Sequence, residues 1–165
     1  MTRSSASDLA AFHAHDHRHC RGAALAAATE LCQARGLRLT PARAFALETL
    51  LESHRAMTAY ELLDRLRDAG LGGQPPVVYR ALEFLVENGF AHRIERLSAF
   101  VACTRTAEPH PAAFMICRRC RHVAETALAE PTPEIDARAG AAGFVVERIV
   151  VEAEGLCANC RGGGA

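Results

Sequence analysis

Two matched cysteine pairs, Cys117-Arg-Arg-Cys120 and Cys157-Ala-Asn-Cys160, constrain this chain more than any other feature of it. Two residues between the thiols of a pair let both sulfurs turn toward one ion about 2.3 Å away. Two such pairs complete a tetrahedral S₄ shell of the kind that holds structural zinc. The 36 residues between the pairs exceed the usual zinc-ribbon gap, so the ion is expected to join a hairpin to a distant tail. The competing reading is a pair of redox dithiols or disulfides. Seven cysteines, an odd number, fit poorly with a secreted disulfide framework and point to a reducing cytoplasm.

A chain of 165 residues is long enough for one core, or for two domains of 70 to 80 residues each. The first eight residues are polar, and the only apolar run nearby, Ala23 to Ala28, is too short for a signal segment or a membrane span. Net charge is zero, with ten Arg against nine acids from Cys20 to Arg96 and seven against eight from Leu97 onward, so no basic tail announces nucleic acid. All 19 basic residues are arginine, the better bidentate partner for phosphate and guanine, although a GC-rich genome produces the same bias.

Residues 1–20 read as a disordered tail carrying His13, His15, His17, His19 and Cys20. Four helical segments follow. The first runs from about Arg21 to Ala34 and stops at Gly36; Thr40-Pro41 opens the second with an N-cap and a proline at the first helical position. Thr58-Ala59-Tyr60-Glu61 is a capping box for the third, whose Leu62, Leu63 and Leu66 face inward. The fourth begins near Pro75-Pro76 and ends at Asn88-Gly89; its buried stripe is Val78, Leu82, Leu85 and Val86, which leaves Tyr79, Arg80, Glu83 and Glu87 outside. Strands at Phe90 to Glu95 and Ala99 to Thr104, joined by Arg96-Leu97-Ser98, complete the order of a winged helix, in which the last helix enters the major groove.

Beyond a Pro-containing linker at 105–113, strands near Phe114 to Cys117 and His122 to Thr126, a helix from Pro133 to Ala142 and a strand at Phe144 to Val151 form an α+β arrangement. The expected organisation is thus a tail (1–20), a winged-helix domain (21–104), a linker (105–113) and a small dimerisation domain with a structural Cys₄ zinc (114–165). Cys32 reads as a core residue of the first helix, and His54 and His122 have no evident partners in the sequence.

Four stretches together resemble the ferric uptake regulator family and, within it, the zinc-sensing branch. They are Leu37-Arg-Leu-Thr-Pro-Ala-Arg43, Pro76-Val-Val-Tyr-Arg-Ala-Leu82, Phe114-Met-Ile-Cys-Arg-Arg-Cys120 and Gly155-Leu-Cys-Ala-Asn-Cys160. The resemblance spans about Arg21 to Arg161 and implies a homodimeric, metal-activated repressor of zinc-uptake genes on AT-rich inverted-repeat DNA. It places Tyr79, Arg80 and Arg43 at the DNA, with Arg80 the candidate for a purine edge; an ordinary solvated helix face is the bland alternative. Val77 departs from the family, which usually has Thr or Ser there, and removes a hydroxyl that caps the helix or touches phosphate.

The resemblance also assigns a regulatory zinc site to His92, Cys103, His110 and Glu125. One thiolate and one carboxylate neutralise Zn²⁺, and two imidazoles complete a tetrahedron. A thiolate at Cys103 favours zinc over manganese or ferrous iron, and His110-Pro-Ala-Ala113 replaces the His-His-Asp-His string of iron-type members. Singly, Cys103 reads as a small core residue and His92 as a strand polar group. Two zinc ions per chain are therefore expected, with no membrane and no small organic substrate as partners. The other readings are a family member sensing iron, manganese or nickel, a metal-independent binding module, or a zinc hydrolase or deaminase. With these assignments both ligand sets are full, which leaves a hydrolase no open position for water, and no phosphate loop, nucleophile elbow or HExxH is present.

Overall fold

The computed structural model describes residues 11–12, 17–103, 112–127 and 133–162. Its first half is built from α1 (His17–Ala34), α2 (Pro41–Leu50), β1 (Met57–Thr58), α3 (Ala59–Asp68), α4 (Pro75–Glu87), β2 (Ala91–Ile94) and β3 (Ala99–Ala102). Local chemistry sets the helix starts. The Thr40 hydroxyl accepts the Arg43 N–H, and at α3 the capping box closes in both directions: Glu61 N–H reaches Thr58 Oγ1 at 3.2 Å while Thr58 N–H reaches Glu61 Oε2 at 2.7 Å. Burial pushes the Glu61 carboxyl up, but the Thr58 N–H and hydroxyl and the Arg55 guanidinium outweigh it and hold its pKa below the usual range. At the far ends, Gly70 (φ +69°) and Gly89 (φ +74°) supply the left-handed backbone that stops α3 and α4.

The apolar stripes of these helices make one core. Leu47 and Leu50 of α2, Leu62 and Leu66 of α3, and Val78, Leu82 and Leu85 of α4 are almost fully buried, with Ala28 and Cys32 of α1 beside them. Phe84 also turns inward, whereas Val86 packs only partly against the core. β2 and β3 pair antiparallel from Ala91↔Ala102 to Ile94↔Ala99, with β1 on the outer side of β3. A 3₁₀ turn at Glu95–Leu97 joins them, and Ser98 (φ 46°) completes the reversal, which makes this hairpin the wing.

The second half comprises β4 (Ala112–Cys117), β5 (Val123–Ala127), α5 (Pro133–Ala141), β6 (Val151–Gly155) and α6 (Ala158–Gly162). Its sheet has the order β5-β4-β6, with β5 antiparallel and β6 parallel to β4. The two halves are docked. Ala56 N–H donates to the Arg121 carbonyl and Val123 N–H to that of His54, both at 2.9 Å, and a shared apolar cluster joins Ala56, Ile94, Ala99 and Val101 to Phe114, Ile116 and Val123. His54 and His122 thus sit in the seam between the halves rather than apart from the structure.

Three elements differ from the sequence expectation. α1 starts at His17, four residues before Arg21, within the stretch expected to be disordered. Strand β4 starts at Ala112, inside the expected linker. The last strand is Val151–Gly155 instead of Phe144 to Val151, because pairing with β4 selects the segment just ahead of Cys157. The apolar run before it is not paired as a strand, and its Phe144 and Val145 side chains are exposed.

Candidate metal centres and nucleic-acid interface

Strand pairing assembles the four-cysteine site. Cys117 ends β4, the turn after it carries Cys120, and Arg121 (φ 61°) swings the chain back so that Cys117 N–H meets the His122 carbonyl at 2.9 Å. Parallel pairing places Gly155 beside Cys117, which delivers Cys157 and Cys160 to the same turn. All four sulfurs lie within 4.8 Å of one another, and Cys120 Sγ and Cys157 Sγ are 3.8 Å apart. A tetrahedron with metal–sulfur bonds of about 2.3 Å has edges of about 3.8 Å, so the donor set fits zinc.

The protonation chemistry agrees. Burial pushes the Cys117 thiol up, but backbone N–H groups of Cys120, Cys157 and Arg119 outweigh it and hold it at about 6. Cys160 is pushed up to about 12, by desolvation and then by the sulfurs of Cys157, Cys117 and Cys120 crowding around it; Cys120 is raised as well, chiefly by burial. One sulfur is stabilised as an anion while its neighbours resist ionising beside it. A divalent cation removes that conflict, displacing the protons as it binds.

The second cluster lies where the wing meets the second sheet. His92 stands on β2, Cys103 directly follows β3 and Glu125 stands on β5, and their ligand atoms are all within 4.8 Å of one another. His92 Nε2 is 3.1 Å from Glu125 Oε1, and Cys103 Sγ is 3.9 Å from the same oxygen. Cys103 and Glu125 are buried, at 2% and 7% exposure. Soft sulfur, imidazole nitrogen and carboxylate oxygen at these separations suit a tetrahedral zinc, whose nitrogen–oxygen edge is about 3.3 Å. The fourth expected ligand, His110, lies outside the described residues, as do His13 and His15.

On the exposed face of α4, Tyr79 and Arg80 project into solvent, beside exposed Glu83 and Glu87. A groove of about 520 Å³ runs between α3, α4 and the wing, lined by Tyr60 and Tyr79 among others. Tyr60 was not singled out in the sequence, yet it is 72% exposed. Its place just inside a helix whose leucines all face the other way is the signal that could have found it. Arg43 is engaged within the chain: its guanidinium lies 3.8 Å over the Phe84 ring and donates to the Arg38 carbonyl at 2.7 Å. Val77 packs its methyls near Gly72, and no side-chain cap is made at the start of α4.

The chain is similar to known proteins. The chain is 41% identical over 137 residues to the zinc uptake regulation protein of Escherichia coli (strain K12), covering 82% of this chain and 80% of that protein. A solved zinc uptake regulator in complex with zinc and DNA superposes with a TM-score of 0.81 at 39% identity, over 86% of this chain and 95% of that one. The crystal structure of holo XcZur superposes with a TM-score of 0.74 at 42% identity, over 83% and 96% respectively. These relatives are zinc uptake regulators. The sequence model of the ferric uptake regulator family matches residues 34–153, and the chain belongs to that family.

Proposed function

We propose that this protein is a zinc-responsive transcriptional repressor that binds operator DNA as a zinc-loaded homodimer and controls zinc uptake, in the cytoplasm. The observation that carries the reading is the His92–Cys103–Glu125 cluster, which joins the wing to the second half through a thiolate-containing donor set. In this reading His110 supplies the fourth ligand, the Cys117–Cys120–Cys157–Cys160 site holds a second, structural zinc, and each chain binds two ions. The similar zinc uptake regulator solved in complex with zinc and DNA supports it. No described helix is long and apolar enough to cross a membrane.

A second copy of the chain answers the surface left open by the second half. Helix α5 buries none of its residues in one chain, and Ile135, Phe144, Val145 and Val150 are exposed along that region. An apolar surface of this kind is covered by self-association about a two-fold axis. Two recognition helices α4 would then meet one face of a duplex about 34 Å apart, or a multiple of that. Zinc at the wing junction selects the spacing.

The test is a gel shift on AT-rich inverted-repeat DNA across buffered free zinc. Coupling between sites is typically about 1–3 kcal/mol, so affinity should rise roughly tenfold or more as zinc fills the junction. Equal affinity with and without free zinc, in protein whose structural zinc is intact, defeats the proposal.

Base reading is assigned to Arg80, with Tyr79 beside it and Arg43 supporting α4 from behind through Phe84. Arg80→Ala should cut the discrimination between operator and random duplex by about 1–3 kcal/mol. Non-specific binding should suffer less, since about one charge leaves the salt dependence. Equal weakening on both duplexes would make Arg80 a phosphate contact.

A further inference from the structure

The wing is also fastened to the second half at its turn, just beyond His92, through β6, a strand that carries none of the His92–Cys103–Glu125 residues. Strand register sets Glu125, Phe114 and Glu152 side by side across β5, β4 and β6. Aligned residues of neighbouring strands present their side chains on one face of a sheet. At one end of this row Glu125 meets His92, and in the middle the Phe114 ring lies 5.0 Å from the His92 ring, centroid to centroid. At the other end the Glu152 carboxylate accepts two backbone N–H groups of the wing turn, from Glu95 at 2.6 Å and Arg96 at 2.9 Å. Two further pairs flank that grip: Arg148 Nη2 to Glu95 Oε1 at 3.3 Å, and Arg96 Nε to Glu154 Oε2 at 3.4 Å.

We infer that Glu152 is a positioning residue for DNA binding, one that holds the wing turn against the second sheet without help from the regulatory metal. The inference rests on the DNA-binding function proposed above. A carboxylate accepting two N–H groups makes charge-assisted bonds, the strong kind, and these N–H groups open a turn that has no other side-chain cap. With Glu152 in place the hairpin is held at both ends of the row; without it the wing turn keeps only the two flanking surface pairs, and the rest of the hairpin its apolar cluster. The consequence reaches the DNA face. Glu95 and Arg148 line the same groove as Tyr60 and Tyr79, so releasing the turn changes the opening between wing and recognition helix. Glu152 thereby favours the docked wing before zinc arrives, and lowers the amount of zinc needed to complete it.

Full-length Glu152→Ala and Glu152→Gln, each with the four-cysteine zinc retained, provide the test. Glu152 is half-buried on an outer strand, so both variants should keep wild-type melting and dimer fraction. Hydrogen exchange at the Glu95 and Arg96 amides should speed up by about tenfold in the alanine variant, and by less with glutamine, which keeps one acceptor oxygen. The free zinc giving half-maximal operator binding should rise by about tenfold in the alanine variant, within the usual range of coupling between sites. Unchanged exchange at both amides overturns the grip itself. Faster exchange with an unmoved zinc midpoint overturns the positioning role and leaves only a surface contact. Loss of any zinc response in the wild type would instead count against the proposed function, and the exchange rates would still decide whether Glu152 holds the wing.

Discussion

Cys117→Ser is expected to strip about one zinc per chain and to collapse the second half of the protein. Cys117 is the most buried of the four sulfurs, at 1% exposure, and the one that backbone N–H groups hold as an anion. A serine hydroxyl cannot replace that thiolate as a ligand. Zinc in cysteine-rich sites is worth about 10–16 kcal/mol to small domains, as much as the entire stability of most domains. β6 also reaches the wing through Glu152 and Glu154, but among the described residues the stretch beyond β6 is only lightly tied. Besides the β4–β6 ladder, the tail is held by Arg118 N–H to the Gly155 carbonyl, Arg119 to the Cys160 carbonyl and Asn159 to the Phe12 carbonyl. The first half keeps its own core of helices and should remain folded. Thermal melts should therefore show a first transition lowered by about 10 °C or more, with the dimer lost by light scattering. A variant with wild-type melting and wild-type metal content would refute a structural role for this site.

What the sequence disclosed follows from how local each signal is. Caps, glycine stops and the paired cysteines are encoded within a few residues, and helices α2 to α4, the capping box at Thr58 and the wing hairpin formed where those signals lie, whereas α1 begins ahead of its expected start. The run from Phe144 to Val151 misled because hydrophobicity announces burial without naming the covering surface. Within one chain its Phe144 and Val145 stay exposed, and the strand is made by the more polar Val151–Gly155, which pairs with β4. Contacts of high sequence separation were invisible for the same reason. Glu152 and the wing turn are 56 and 57 residues apart, and nothing near Glu152 in the chain marks it as a partner for backbone amides. Arg43 shows the converse: its motif was plain, while the stacking on Phe84 that engages its guanidinium depends on how α2 meets α4.

Cys103→Ser should fail in a different way from Cys117→Ser, and the contrast separates the two metal sites. The substitution is nearly isosteric, and Glu125 Oε1, which the thiol now faces at 3.9 Å, keeps His92 Nε2 at 3.1 Å. The backbone anchor is untouched, because Cys103 N–H still meets the Phe90 carbonyl at 2.9 Å. The buried Glu125 carboxylate keeps its partner, so melting should move by only a few degrees, as for about 1 kcal/mol in a chain of this size. The structural zinc and the dimer should persist. What disappears is the soft donor that distinguishes zinc at the wing junction, and with it about one zinc per chain. Operator affinity should then stay at its zinc-free level as free zinc rises, which forfeits the roughly tenfold or larger gain expected of the wild type. Metal content by mass spectrometry, dimer fraction and gel shifts on both variants provide the comparison. If Cys103→Ser unfolds the protein while Cys117→Ser merely abolishes the zinc response, the two sites have been assigned the wrong way round.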